Sequence, residues 1–156
     1  MVQELASSLI KKLEEKNLTI AVAESLTGGL VAASLTEIPG ASKVFRGSIT
    51  AYADEIKQNI LNVKDETITN FTSISEQVAL EMAINVRTIM KSDIGISTTG
   101  VAGPEKSAGF APGLVFVAIS IGDHNMCQKL EITGDRSKIR NQTVHEILQL
   151  TLSRLV

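Results

Sequence analysis

The stretch LTIAVAESLTGGLVAASLTEIPG, residues 18–40, decides the fold. Its first seven residues, LTIAVAE, are rich in β-branched side chains and apolar through the middle, with no polar alternation. A strand with one wet face alternates apolar and polar residues, so this one reads as a strand covered on both faces, as in a sheet flanked by helices. It ends at SLTGG (25–29), where Gly28 and Gly29 permit a tight turn. GLVAASLTEI then reads as a helix stopped by Pro39 and Gly40, since proline lacks the N–H that a helix interior requires.

Working outward, Val2, Leu5, Leu9 and Leu13, with Ala6 and Ile10, recur at helical spacing and predict an amphipathic helix over the first fifteen or so residues. After the loop PGASKVFR, the segment GSITAY (47–52) reads as a strand and ADEIKQNIL (53–61) as a short helix. Ser73 or Ser75 caps the next helix: Ser73 and Glu76 have capping-box spacing, and Val78, Met82, Val86 and Ile89 form its apolar stripe. The strand DIGIST (93–98) leads into a second glycine turn, TGVAGP (99–104). Residues 113–122 and 125–133 are strand-like and separated only by Asp123 and His124, which predicts a hairpin. Asp135 caps a last helix whose turns are marked by Ile139, Thr143, Ile147, Leu150 or Thr151, and Arg154. Helices alternating with at least five strands imply an α/β fold, a three-layer α/β/α sandwich around a mixed, mostly parallel central sheet.

With 156 residues, 44% of them hydrophobic, the chain suits one domain over 1–156 with a proper core. A formal net charge of −2 provides no basic field for a nucleic-acid backbone, and 3% aromatics with no Trp provide no stacking platform, so direct nucleic-acid binding is not expected. The lone cysteine, Cys127, suits a reducing compartment. No apolar run approaches the ~20 residues of a membrane span, and the opening MVQELASSLIKKLEEKN places its charges wrongly for a signal peptide. A cytoplasmic protein without membrane contact is expected. His124, His145 and Cys127 are scattered, so neither a metal nor another cofactor is expected. A homo-oligomer is expected, because exposed helices commonly support one in folds of this kind.

The chemistry concentrates in the two matched turns, AESLTGG and STTGVAGP, each delivered by a buried strand. In open α/β sheets the crevice at the carboxyl ends of strands is the usual ligand site, so Ser25, Thr27, Thr98 and Thr99 should meet at one edge. Gly28, Gly29, Gly100 and Gly103 would let backbone N–H groups approach a substrate anion or a developing oxyanion; alternatively they serve turn geometry alone. Neither turn matches a Walker A loop or GxGxxG. Tyr52 and Lys57 lie five residues apart across a strand-to-helix junction. A lysine in the first turn of a helix faces the positive end of the macrodipole, which lowers its pKa toward that of a usable base. A solvated lysine is the competing reading, and Asp54 and Glu55 oppose the shift. Serine with a lysine base is a known nucleophile pair that needs neither histidine nor metal. Glu24, beside Ser25, either orients the nucleophile turn or binds a ribose hydroxyl. Arg136 and Arg140, four apart in GDRSKIR, share one helix face and either grip a phosphate or remain solvated.

Four stretches together, AESLTGG (23–29), IPGASKVFRGSITAYADEIKQNILNV (38–63), STTGVAGP (97–104) and GDRSKIR (134–140), resemble the CinA C-terminal domain family, the nicotinamide-nucleotide amidohydrolases. The resemblance follows that family's order and spacing over nearly the whole chain. It implies a compact α/β/α domain that hydrolyses the carboxamide of nicotinamide mononucleotide to nicotinic acid mononucleotide and ammonia, without a metal. It implies Ser25 as nucleophile, Lys57 as general base, Tyr52 as the group that relays or orients the proton, and Thr99 with the amides of residues 100–103 as holders of oxyanion or substrate. The family's competence-linked name also suggests an alternative, a non-catalytic nucleotide-binding or regulatory module of competence or DNA repair. The chain departs from the family in having Leu26 where Cys is common, and GPEKSAGFAPGLV where relatives read GPxGG followed by KPxGT.

Overall fold

In a computed structural model that describes residues 1–156, five strands form one sheet in the order β2-β1-β3-β4-β5. They are β1 (Ile20–Glu24), β2 (Phe45–Thr50), β3 (Ile94–Gly100), β4 (Leu114–Ile121) and β5 (His124–Glu131). β1 pairs in parallel with both β2 and β3, whereas β4 is antiparallel to β3 and to β5. Four of the five strands therefore point the same way, and the sheet is mixed but mostly parallel. The helices are α1 (Val2–Lys16), α2 (Leu30–Thr36), α3 (Asp54–Asn59), α4 (Asp65–Phe71), α5 (Glu76–Met90) and α6 (Arg136–Ser153). No helix is long and apolar enough to cross a membrane.

β1 shows how the layers are built. All five residues of β1 are buried, but its two faces differ. Ile20 and Val22 join Ile94 and Ile96 of β3 in the main core under α1, α2 and α6. Ala21 and Ala23 face the other way, packed with Val78, Met82 and Val86 of α5. β3 repeats the pattern with Gly95 and Ser97 toward α5, where the Ser97 hydroxyl donates to the Ala79 carbonyl at 2.6 Å. Small residues on this face let α5 ride close to the sheet: a Cβ on Gly95 would lie 2.0 Å from the Ala83 carbonyl oxygen. Each large core side chain, such as Leu35 or Ile94, contributes about 1.5–3 kcal/mol through burial.

Several local expectations shift. β2 ends at Thr50, so Tyr52 lies beyond the strand rather than in it. Ser75, not Ser73, caps α5 by accepting the Val78 N–H at 3.2 Å. Ile89 is 40% exposed and does not belong to the buried stripe of α5. The hairpin turn is Gly122–Asp123, with His124 opening β5. As expected, Asp135 caps α6, accepting the Lys138 N–H at 2.8 Å. α4 corresponds to no segment read as helical from the sequence.

Candidate active site

The parallel register aligns Glu24 of β1 with Thr98 of β3 and with Thr50 of β2, so β1 and β2 end on one line and β3 runs two residues past it. Beyond it the backbone ladder runs one residue further on each side. The Ser25 N–H donates to the Thr98 carbonyl at 3.0 Å, and the Ala51 N–H donates to the Glu24 carbonyl at 2.8 Å. The first bond fixes where Ser25 sits, and the second fixes where the chain leaves toward Tyr52 and α3.

α3 then turns Lys57 back under the sheet edge. Its side chain is only 2% exposed, and its Nζ lies 2.9 Å from Ser25 Oγ and 3.0 Å from the Tyr52 carbonyl oxygen. Burial lowers the Lys57 pKa below the usual lysine value, and the Asp54 carboxylate, 4.0 Å away, partly opposes this. Desolvation disfavours the ammonium, and the half-exposed carboxylate of Asp54 offsets only part of that cost. The direction matches the sequence expectation but the cause does not: Lys57 stands in the last turn of α3, away from the positive end of the helix, and burial dominates.

Ser25 and Lys57 form part of the wall of a cavity of about 410 Å³. Leu26, Tyr52, Asp54, Ser73, Ile74, the 99–105 segment, Ser107 and Arg136 complete it. The Thr99 hydroxyl donates to the Ser73 carbonyl at 2.8 Å, tying the second glycine turn to the start of α5. The amides of Leu26, Ala102 and Gly103 have no acceptor within the chain, which leaves three donors for a bound oxygen at this wall. Arg136 sits at the mouth, donating to the Gly103 carbonyl and, at 3.2 Å, to the Tyr52 hydroxyl. Tyr52 thus serves the pair differently from expectation. Its backbone carbonyl holds Lys57, while its 61% exposed ring reaches toward Arg136.

Six of the candidate substrate-binding residues lie outside this lining. The fully buried Glu24 carboxylate accepts the Val31 N–H at 2.9 Å and the Ala32 N–H at 3.0 Å, so it is engaged by the first turn of α2 rather than free for a ribose. Thr27 and Thr98 bond each other through their hydroxyls at 2.7 Å beneath the turn. Gly28 and Gly29 take positive φ values of 57° and 104°, conformations that favour glycine, and close the turn. Arg140 donates from Nε to the Leu26 carbonyl at 2.9 Å and from Nη2 to the Thr27 carbonyl at 3.2 Å. The structure brings together Ser25, Tyr52, Lys57, Thr99, Gly100, Gly103 and Arg136. Leu26 and Ser73, which the sequence marks only as a family departure and a helix-cap candidate, join them. For Leu26 the available signal was its place directly after a serine at a strand end, where the next N–H often faces the reacting oxygen.

The sequence profile described as the CinA C-terminal domain matches residues 2–155. The chain belongs to the CinA C-terminal domain family. A putative competence-damage inducible protein of Clostridioides difficile is 48% identical over 145 residues, covering 92% of this chain and 35% of that protein. Another, from Thermoanaerobacter pseudethanolicus, is 42% identical over 149 residues, covering 95% of this chain and 36% of its own length. The chain therefore spans about a third of the length of the curated relatives it matches. A crystal structure of a competence or damage-inducible protein from Enterobacter asburiae superposes with a TM-score of 0.98 at 34% identity, covering 100% of this chain and 99% of the other. Elsewhere in this CinA domain, burial and the nearby Glu76 push the pKa of the Cys127 thiol up to about 12, which favours the protonated thiol. His124 is exposed and His145 half-buried on α6, both outside the cavity.

Proposed function

We propose that this CinA domain hydrolyses the carboxamide of nicotinamide mononucleotide, using Ser25 as nucleophile and Lys57 as base. The observation that carries the reading is the 2.9 Å contact between a serine hydroxyl and a buried lysine amine in the wall of a cavity. In the neutral amine, one N–H goes to the Tyr52 carbonyl and the lone pair faces Ser25. Lys57 then takes the hydroxyl proton as Oγ attacks the carboxamide carbon. The resulting oxyanion is received by the unpaired amides of Leu26, Ala102 or Gly103. Collapse breaks the C–N bond, the Lys57 ammonium returns the proton to the departing nitrogen, and ammonia leaves. Water, activated by the same amine, then releases the acid and regenerates Ser25. A cavity of about 410 Å³ is within the range of small-molecule sites, and Arg136 at its mouth suits the 5′-phosphate.

The test is ammonia release from nicotinamide mononucleotide by the purified protein, with Ser25→Ala and Lys57→Ala as controls. Release by the native protein that both substitutions abolish supports the reading. No release, or release unchanged in both variants, removes it. Saturable nucleotide binding without ammonia release would instead favour the regulatory module that the relatives' competence-linked names suggest, with the altered 105–113 loop, exposed over 105–109, as its support.

A further inference from the structure

Arg136 and Arg140 start from the same helix face, one turn apart, yet their guanidiniums do different things. Arg136 lines the cavity, whereas Arg140 lies outside it and spends two donors on consecutive carbonyls of the nucleophile turn, Leu26 and Thr27. We propose that Arg140 is a positioning residue, which fixes the turn that presents Ser25 to the base and aims the Leu26 amide, rather than a ligand for substrate. This rests on the hydrolytic reading given above.

The turn runs from Ser25 to Gly29 and has few internal ties: the Gly28 N–H donates to the Ser25 carbonyl and the Leu30 N–H to the Thr27 carbonyl. Two glycines with positive φ leave it conformationally loose. The carbonyls of Leu26 and Thr27 belong to the second and third peptide units after the nucleophile, directly following the unit that carries the Leu26 N–H. A planar guanidinium that takes both of them fixes the tilt of those units, which a lysine ammonium on a flexible stem cannot do. The grip spans more than a hundred residues of chain, from the start of α6 to the end of β1, so the turn is set by the packing of α6 and not by local sequence. From beneath, the Thr27–Thr98 pair holds the same turn, and Glu24 anchors the helix that follows it. Arg140 is the only charged side chain bonded to its carbonyls.

The experiment compares Arg140→Ala, Arg140→Lys and Arg136→Ala in steady-state ammonia release from nicotinamide mononucleotide. In parallel it follows the rate at which a fluorophosphonate phosphonylates Ser25, where Oγ displaces fluoride and the product is read by intact mass. We expect Arg140→Ala to lower kcat by about 30-fold or more with KM changed by less than about three-fold, and added guanidinium ion to restore part of kcat. Arg140→Lys should fall between, and Ser25 labelling should slow in step. Arg136→Ala should instead raise KM. A raised KM with unchanged kcat in Arg140→Ala would make Arg140 a substrate ligand and overturn the proposal, as would unchanged kcat and labelling. If the native protein labels at Ser25 but releases no ammonia, the substrate reading falls, and the labelling rates alone decide the positioning role. Should Arg140→Ala lose its cooperative melting, the same readouts on Arg140→Lys decide it.

Discussion

The two glycine turns at the carboxyl edge of the sheet are built alike in sequence and oppositely in structure. The 25–29 turn is locked: Thr27 is bonded beneath it, Arg140 holds its carbonyls, and Glu24 anchors the helix that follows. The 99–104 turn is tied by Thr99 to Ser73, by the Val101 backbone to Leu114 and Gly113, and by Arg136 to the Gly103 carbonyl, but its Ala102 and Gly103 amides stay unspent and it then runs into an exposed stretch of residues 104–109. The difference suits a division of labour. A nucleophile has to be held within a few tenths of an ångström of its base, whereas a turn that offers amides to an oxyanion and covers a substrate has to leave those amides unspent.

The largest effect is expected where the locked turn meets its base. Lys57→Met keeps the volume of the stem and removes the amine, so ammonia release should fall by about 10³-fold or more. The same change should stabilise the fold by about 1–2 kcal/mol, because a poorly compensated buried cation is replaced by an apolar side chain. Burial holds the Lys57 pKa below its unfolded value near 10.4, so between the two values the native chain binds fewer protons than the unfolded chain. Stability contributed by this group therefore rises with pH through that window and is complete only above the unfolded value. Urea unfolding of native and Lys57→Met protein across pH 7–10.5 checks this, and a parallel pH dependence in both would break the assignment. Ammonia release by the native protein should rise with pH over the range in which Lys57 becomes neutral.

How much of this was readable in advance depended on whether local sequence or distant packing sets each feature. The strand-turn-helix at 18–40 is local: a β-branched run, two glycines and a Pro–Gly stop carry their own geometry, and the α/β/α layers followed from it. The pairing of Tyr52 and Lys57 was legible as a spacing, but the partner atom was not. Spacing points to side chains, and the atom that meets Lys57 is the Tyr52 backbone carbonyl. The depressed pKa was attributed to a helix dipole because burial at 2% exposure is a property of the folded edge, invisible in DEIKQN. Arg136 and Arg140 were indistinguishable for the same reason: only the docking of α6 against the 25–29 turn separates them. The α4 segment DETITNF escaped because seven residues with two β-branched threonines and one isoleucine carry little helical periodicity.

A middle-sized effect should separate the two turns by their glycines. A Cβ on Gly103 would lie 2.8 Å from the Pro112 Cβ, part of a rigid ring, and Gly103 has φ +85°. Gly103→Ala should therefore destabilise by about 1–3 kcal/mol and lower kcat by displacing the Ala102 and Gly103 amides. On Gly28, with φ +57°, the added Cβ would meet the Arg140 Nη2 at 3.3 Å, the far end of a flexible side chain. Gly28→Ala should cost only about 1 kcal/mol, the usual penalty of a left-handed non-glycine residue. Thermal melts with kcat measured on both variants make the check, and a larger loss at Gly28 than at Gly103 would reverse the comparison.

The smallest effect on activity is expected at Glu24, although it is the most buried acid in the site region. Its two carboxylate oxygens each accept one N–H from α2, whose own N-cap is a glycine with no side chain to offer. Glu24→Gln keeps one acceptor and turns an NH₂ group against the other N–H, which leaves a buried donor unmatched and removes a negative charge from the positive end of the helix. The expected cost is about 1–2 kcal/mol of stability, read as a lower urea midpoint with an unchanged slope. Ammonia release should drop no more than several-fold, because Arg140 and the Thr27–Thr98 pair still hold the turn above it. A loss in Glu24→Gln as large as that in Arg140→Ala would mean that the turn is governed from the helix behind it rather than from the carbonyls in front.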